Sequence, residues 1–139
     1  MDIPKLSLEN LENKNMCFGC GKENAYGFKL NFSQDAAGAV ISEFIPGEHH
    51  QGWPGYVHGG ALMVVIDEAI GWASHFANFR AGTAKIEFRL RSMALIGEPL
   101  TIRAWITRQT SRTLEVSAQV KRSDETIVAE ASSVQFIAR

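Results

Sequence analysis

The pattern of apolar and polar positions predicts one long helix in the middle of the chain. From Ala61 to Phe76, apolar side chains fall on almost every side of a helical projection, and no proline interrupts the stretch. The stretch follows His58-Gly59-Gly60, which indicates a glycine turn that leads into the helix. A helix of this size is roughly 24–30 Å long. Because so few polar positions are left to face water, we expect the rest of the chain to wrap around it.

Strand-like stretches lie on both sides of this helix. Residues 27–33 and 39–45 precede it and have the pattern of two strands joined by a turn at Gly38. Four later stretches alternate between apolar and polar positions, which indicates strands with one buried face: residues 85–91, 100–106, 114–120 and 126–137. A short helix is also predicted over residues 7–12, with Ser7 as its cap.

This order of elements predicts an α+β fold in a single domain over residues 1–139. One antiparallel sheet of five to six strands, curled around the long helix, would bury the apolar faces of both. A second copy of the chain would most simply cover the open sheet edges and the remaining apolar surface of the helix. We therefore expect a homo-oligomer.

The composition is that of an ordinary soluble globular protein, with 45% hydrophobic and 21% charged residues. The net charge of −1 gives no basic surface for nucleic acid, and no cluster of like charges suggests a membrane partner. The N-terminus lacks the apolar segment of a signal peptide, and two cysteines are too few for a secreted disulfide scaffold. We therefore expect a cytoplasmic location.

Asp67 stands out among the apolar side chains of the predicted helix. A carboxylate in such surroundings is costly unless it is hydrogen-bonded, paired or used in chemistry. A helical projection places small and apolar residues around it, namely Gly60, Met63, Val64, Ile70, Gly71 and Ser74. The small residues leave room either for close backbone packing, for example across a dimer, or for a ligand.

The glycine turn favours a ligand beside Asp67 over close backbone packing. Gly59 and Gly60 would present bare backbone N–H groups at a helix N-terminus, where four donors have no partner within the helix. Such a terminus favours an oxyanion or a polarised carbonyl. Asp67 follows Gly60 by about two turns, on the same face. Donors for a carbonyl and a carboxylate beside them are the groups that acyl-transfer hydrolysis needs.

These residues form a motif that resembles the signature of a known family. Gly55-Tyr56-Val57-His58-Gly59-Gly60-Ala61-Leu62, with Asp67 nine residues after the histidine, is similar to the signature of hotdog-fold acyl-CoA thioesterases. The chain most resembles the phenylacetate-pathway type within the hydroxybenzoyl-CoA thioesterase superfamily. The likeness extends to Cys17-Phe18-Gly19-Cys20-Gly21, to Thr83 and to the order of elements over nearly the whole chain.

The resemblance implies a hotdog fold and the hydrolysis of an acyl-CoA thioester to a free acid and coenzyme A. It implies that this hydrolysis needs no metal and no organic cofactor. Hotdog thioesterases are dimers or tetramers with active sites at the dimer interface, so the resemblance implies a homodimer or homotetramer here.

The resemblance also assigns roles to individual residues. Asp67 would activate water or attack the thioester carbonyl itself, and the N–H of Gly59 would polarise that carbonyl. His58 would shape the turn, and Thr83 would position water or the carboxylate across the dimer. The residues expected to contact the substrate are Gly60, Gln51, Trp53, Gly71 and Ser74.

Two positions depart from the pattern of the family. Many relatives carry Asn or Gln six residues before the histidine of the motif, where this chain has Gly52, and Gln51 is the neighbouring candidate for that role. Relatives often place a proline after the first long strand, where this chain has Ser92-Met93-Ala94.

The Cys17-x-x-Cys20 pair allows three interpretations. The favoured one is a structural turn without a catalytic role. A zinc site would need two more soft ligands, and His49, His50 and His58 are candidates if the fold brings them close. A redox pair would need a helix start within a βαβ pattern, which the sequence lacks.

Two other functions compete with hydrolysis. A hotdog hydratase would place an Asp and a His together on the active helix, but His75 lies about 80° around the helix from Asp67. A non-catalytic hotdog protein that binds an acyl ligand is the second alternative, and the departure at Gly52 keeps it open.

Overall fold

The central helix dominates the computed structural model, which describes residues 15–138. Helix α1 spans Gly59–Phe76, as the sequence predicts. Its buried side chains form one stripe that repeats every four residues: Ala61, Leu62, Val65, Ile66, Ala69, Ile70, Ala73 and Ser74. Asp67, Gly71 and His75 are exposed, so the rest of the chain leaves one side of the helix uncovered. A single sheet covers only one face of a helix. Among the described residues, no helix is long and apolar enough to cross a membrane.

Within residues 15–138, six antiparallel strands make up the sheet. Their bounds are β1 Ser33–Gln34, β2 Val40–Phe44, β3 Ala81–Leu90, β4 Leu100–Gln109, β5 Thr113–Arg122 and β6 Ile127–Ile137. Their order across the sheet is β1-β2-β4-β5-β6-β3, and α1 contacts β2 to β6. One long helix on a six-stranded antiparallel sheet is the hotdog arrangement, so the predicted α+β fold is confirmed. The ten-residue strand β3 is left at one edge of the sheet.

The inward face of the sheet follows the predicted alternation. Leu100, Ile102 and Ala104 of β4 are buried, and so are Leu114 and the alternate residues after it in β5. These side chains pack with the buried stripe of α1 in one apolar core. Burying a side chain of this size stabilises a fold by about 1.5–3 kcal/mol. The core therefore holds α1 at a fixed position on the sheet.

The first predicted strand is mostly wrong. Only Ser33 of residues 27–33 lies in a strand, within the two-residue β1. The N–H of Phe28 donates to the carbonyl of Phe18 at 2.9 Å, and the N–H of Leu30 donates to that of Gly19 at 2.9 Å. Lys29 between them has φ of 53°, which interrupts an extended chain. The alternating apolar residues of this segment pack a loop against the rest of the chain.

The short helix predicted over residues 7–12 lies outside the described residues.

Candidate active site

The turn that begins α1 is capped by His58. This residue is extended, with φ −62° and ψ 135°, and its Nδ1 accepts a hydrogen bond from the N–H of Gly60 at 2.8 Å. Because Nδ1 is the acceptor, the neutral ring carries its proton on Nε2. The carbonyl of His58 accepts from the N–H of Ala61 at 2.9 Å. The predicted role of His58 in shaping the turn agrees with this geometry.

The N–H of Gly59 differs from its neighbours in this turn. Within residues 15–138 it donates to no protein acceptor, whereas the N–H groups of Gly60, Ala61 and Leu62 all bond to His58. As the first residue of α1, Gly59 also has no acceptor inside the helix. The helix therefore offers one free N–H at its positive end.

Gly59, which carries the free N–H, lines an open cleft of about 420 Å³. His58 and Leu62 line it as well at the start of α1, and so do Trp53 and Arg91. The rest of the lining comes from Gly52, Tyr56, Val57, Leu90, Ser92 and Met93. A cleft of this volume is in the range of small-molecule sites, and most of its lining is apolar.

Gly52 packs closely against His58 in the loop before the cleft. A Cβ atom on Gly52 would lie 3.2 Å from both Cα and Cδ2 of His58, so a side chain here would require His58 to move by a few tenths of an ångström. The neighbouring side chain of Gln51 is used inside the loop. Its Nε2 donates to the carbonyl of Glu48 at 2.9 Å, and its Oε1 accepts from the N–H of Gly55 at 2.7 Å. Gln51 is not among the residues that line the cleft.

A second group of polar residues surrounds Asp67. The hydroxyl of Thr83 donates to Oδ1 of Asp67 at 3.2 Å. Thr83 pairs with Gln135 across β3 and β6, and Nε2 of Gln135 donates to the Thr83 hydroxyl at 3.2 Å. A β-bulge follows Thr83, because the register shifts before Lys85. Bulges re-aim side chains, and this one lies where Thr83 meets the helix.

The environment of Asp67 makes its carboxylate more basic. Desolvation by α1 and β3 raises its pKa, the hydrogen bond from Thr83 opposes the rise, and the charge of Glu68 adds to it. The residue is nevertheless exposed at the surface of the single chain. Its carboxylate is thus partly desolvated and still accessible to water or to a ligand.

The two groups do not meet within one chain. Neither Asp67 nor Thr83 lines the cleft that contains Gly59. Gly59 and Asp67 are eight residues apart in α1, which separates them by about 12 Å along the helix axis. Reacting atoms must approach to about 3–3.5 Å, so one chain does not bring both groups to one carbonyl.

Three further residues predicted to contact the substrate differ in their exposure. Trp53 lines the cleft and is 79% exposed. Gly71 is exposed and has open space beside it. Ser74 is buried, and its hydroxyl donates to the carbonyl of Ile70 at 3.4 Å, so a single chain does not present it to a ligand.

Gln135 is the site residue that the sequence analysis missed. It is 1% exposed and bonds to both Thr83 and Ser133. The available signal was its place in β6, where it follows Ala131 and Ser133 on the inward side of the alternation. A large polar side chain at an inward position needs hydrogen-bond partners, and here it supports the hydroxyl beside Asp67.

Known proteins agree with this fold and with the motif. The thioesterase superfamily model matches residues 54–129, more than half of the chain. Acyl-coenzyme A thioesterase THEM4 of Rattus norvegicus is 26% identical over 134 residues, which make up 96% of this chain but only 58% of the rat protein.

Two solved structures have the same fold. A hypothetical thioesterase protein with coenzyme A from Streptococcus pneumoniae TIGR4 aligns with a TM-score of 0.76 at 14% identity, over 95% of this chain and 97% of that one. The E. coli PaaI protein from the phenylacetic acid degradation operon aligns with a TM-score of 0.75 at 15% identity, over 81% of both chains. The resemblance to hotdog thioesterases is therefore confirmed, and the chain belongs to the thioesterase superfamily.

Proposed function

We propose that this protein is an acyl-CoA thioesterase, which hydrolyses a thioester to a free acid and coenzyme A. The observation that carries the proposal is the free N–H of Gly59, at the positive end of α1 and in the wall of the cleft. The name of the rat relative and the coenzyme A in the S. pneumoniae structure support the same substrate class.

The proposed reaction uses the two polar groups on opposite sides of the thioester. The N–H of Gly59 donates to the carbonyl oxygen, which gains negative charge as the carbonyl carbon is attacked. Asp67 either takes a proton from the attacking water or attacks the carbon itself, and both routes need its ionised carboxylate. In the first route the C–S bond then breaks, coenzyme A leaves as a thiolate that takes up the proton held by Asp67, and the acyl group leaves as a carboxylic acid. In the second route the same bond breaks as an acyl–aspartyl anhydride forms, and the thiolate takes a proton from solvent. A water molecule then hydrolyses the anhydride, which releases the acid and restores the carboxylate. Thr83, held by Gln135, positions the carboxylate.

The site is completed by a second copy of the chain. Because Gly59 and Asp67 of one chain are about 12 Å apart, the donor and the carboxylate of one active site come from different copies. The edge strand β3 carries Thr83, and within residues 15–138 it is paired only on the side of β6, so its outer side is open for such a contact. Each dimer then contains two identical sites, as expected for a twofold interface.

We expect the protein in solution to be at least a dimer. The exposed face of α1 around Asp67 and the open edge at β3 both need a partner. Sedimentation equilibrium over a range of concentrations measures the mass, and either a dimer or a tetramer agrees with the proposed site. A monomer at every concentration would contradict it.

The substrate must match a cleft with apolar walls and one cation at its rim. Trp53, Tyr56 and Met93 offer apolar surface for an acyl chain or an aryl ring. Arg91 also lines the cleft, and its Nε donates to Glu130 at 2.8 Å, so a phosphate at this position would share the guanidinium with that carboxylate. The cytoplasmic location stays a prediction.

A panel of short, long and aryl acyl-CoAs tests the proposed function. We expect free thiol to be released from at least one member, as measured with a chromogenic thiol reagent. Binding of acyl-CoA without release would favour the non-catalytic alternative. Hydration of an enoyl-CoA without release would favour the hydratase.

His75 packs edge-on against Trp72, with ring centroids 5.0 Å apart, and this contact does not support a hydratase.

A further inference from the structure

Cys17 and Cys20 lie against the middle of α1, in a turn that the proposed hydrolysis does not use. Sγ of Cys17 lies 3.5 Å from Oε1 and 3.7 Å from Oε2 of Glu68. One ligand atom each from Cys17, Cys20 and Glu68 lies within 4.8 Å of the other two. Within residues 15–138 this is the only such group, and it contains no histidine. The histidines considered as zinc ligands from the sequence are therefore not part of it.

We propose that Cys17, Cys20 and Glu68 bind one divalent metal ion of the zinc class, which ties the N-terminal turn to α1. Two cysteines separated by two residues have the spacing of zinc-binding turns. Zinc–sulfur bonds of about 2.3 Å and zinc–oxygen bonds of about 2.0 Å place tetrahedral ligand atoms about 3.5–3.8 Å apart. The 3.5 Å between Sγ of Cys17 and Oε1 of Glu68 fits this spacing. Water completes the four-coordinate ion.

The carboxylate of Glu68 is already oriented for this role. Nε1 of Trp72, one turn further along α1, donates to its Oε1 at 3.2 Å. The ring of Trp72 is stacked on Phe32, with centroids 5.8 Å apart. Metal ligands are commonly fixed by a hydrogen bond of this kind from a second residue.

Two glycines let the turn close around the carboxylate. A Cβ atom on Gly19 would lie 2.5 Å from Cδ of Glu68, so the carboxylate rests directly on the backbone between the cysteines. A Cβ atom on Gly21 would lie 2.5 Å from the backbone of Cys17, whose carbonyl accepts the N–H of Gly21 at 2.9 Å. The turn is therefore shaped to hold two thiols and one carboxylate around one point.

The same geometry argues against a redox role for the cysteine pair. Reactive pairs of this spacing have a thiol with a lowered pKa, usually at a helix N-terminus. Here residues 17–20 lie in a turn and not at the start of a helix, and the charged group beside them is the carboxylate of Glu68. A divalent cation supplies the positive charge that three such ligands lack, and its binding releases the two thiol protons to solvent.

Metal analysis of the full chain without an affinity tag tests the proposal. After equilibration with zinc and gel filtration, we expect one zinc ion per wild-type chain. The Cys17→Ser/Cys20→Ser variant should retain less than about one-tenth of that amount. Glu68→Gln should weaken zinc binding by about ten-fold or more. Glu23→Gln is the matched control, because it removes an exposed carboxylate of the same segment outside the cluster, and it should bind zinc as the wild type does.

Cobalt absorption of the wild-type protein tests the site even if a variant fails to fold. The thioester turnover of the double cysteine variant tests whether the site is separate from hydrolysis. Wild-type protein loaded with Co²⁺ should absorb in the near ultraviolet through thiolate-to-cobalt charge transfer. The double cysteine variant, if folded by circular dichroism, should lose the metal and keep thioester turnover. Wild-type protein without zinc, or without the thiolate band, would overturn the site, as would full zinc binding in the double variant. A loss of turnover in the double variant would overturn its separation from the proposed thioesterase site.

Discussion

Asp67→Asn is expected to lower the turnover of a hydrolysed acyl-CoA by roughly 10²–10⁴-fold. Asn keeps the size of the side chain and can still accept the hydrogen bond of Thr83, which is 3.2 Å long in the parent chain. It lacks the basic oxygen that removes a proton from water or attacks the carbonyl. Acyl-CoA binding should persist, because Asp67 does not line the cleft at Gly59. Steady-state kinetics measure kcat, and titration calorimetry measures binding.

The same variant separates a catalytic role from a structural one. Because the fold raises the pKa of Asp67, ionisation of this carboxylate opposes folding at neutral pH. Removing the charge should therefore leave the unfolding temperature unchanged or higher. Glu43→Gln is the control, since it removes an exposed carboxylate on β2. Equal kcat in Asp67→Asn and the wild type would leave Asp67 as a structural residue.

The core elements were predictable because each repeats one pattern over many residues. The apolar stretch of α1 and the apolar positions of β4 and β5 are both buried when the helix packs on the sheet. Residues 27–33 show where the pattern fails. Their alternation is as regular as that of a strand, yet their N–H groups bond to the turn at residues 17–21. Hydrogen bonds between two separate segments of the chain cannot be predicted from the periodicity of either segment.

The site was predictable only in part for the same reason. Gly59, His58 and Asp67 lie in one continuous motif, so their spacing alone fixes their positions on α1. Thr83 depends on a bulge in β3, and Gln135 comes from the far end of the chain. Their meeting with Asp67 depends on which strand lies at the edge of the sheet, and one sequence does not define that order.

The contact between Glu68 and the cysteine turn could not be predicted from the sequence either. Glu68 is 51 residues from Cys17, and no motif connects the two. Histidines are the usual partners of cysteines at zinc sites, so residue type alone favours His49, His50 and His58 over Glu68 as further ligands. The carboxylate reaches the cysteines only because the segment before β1 packs across α1.

Gly59→Pro is expected to lower turnover by roughly 10²–10³-fold, the usual effect of removing one oxyanion donor. Proline has no N–H, and the first position of a helix is where proline is best tolerated. His58 before it is already extended, at φ −62° and ψ 135°, as a residue before proline requires. Gly59→Ala is the matched control. It keeps the N–H and adds the same Cβ, which would meet only the flexible end of Leu90 at 2.8 Å. Equal losses in both variants would mean that space, and not the N–H, is what Gly59 provides.

Mixed dimers of Asp67→Asn and Gly59→Pro chains then decide how the site is shared. Each variant alone should be nearly inactive. If donor and carboxylate come from different copies, a mixed dimer regains one site in which Gly59 of one chain faces Asp67 of the other. Chains unfolded together in equal amounts and refolded form mixed dimers in half of the cases, so about one quarter of the wild-type turnover should return. If both groups act within one chain, no mixture regains activity. The distance of about 12 Å along α1 favours the first result.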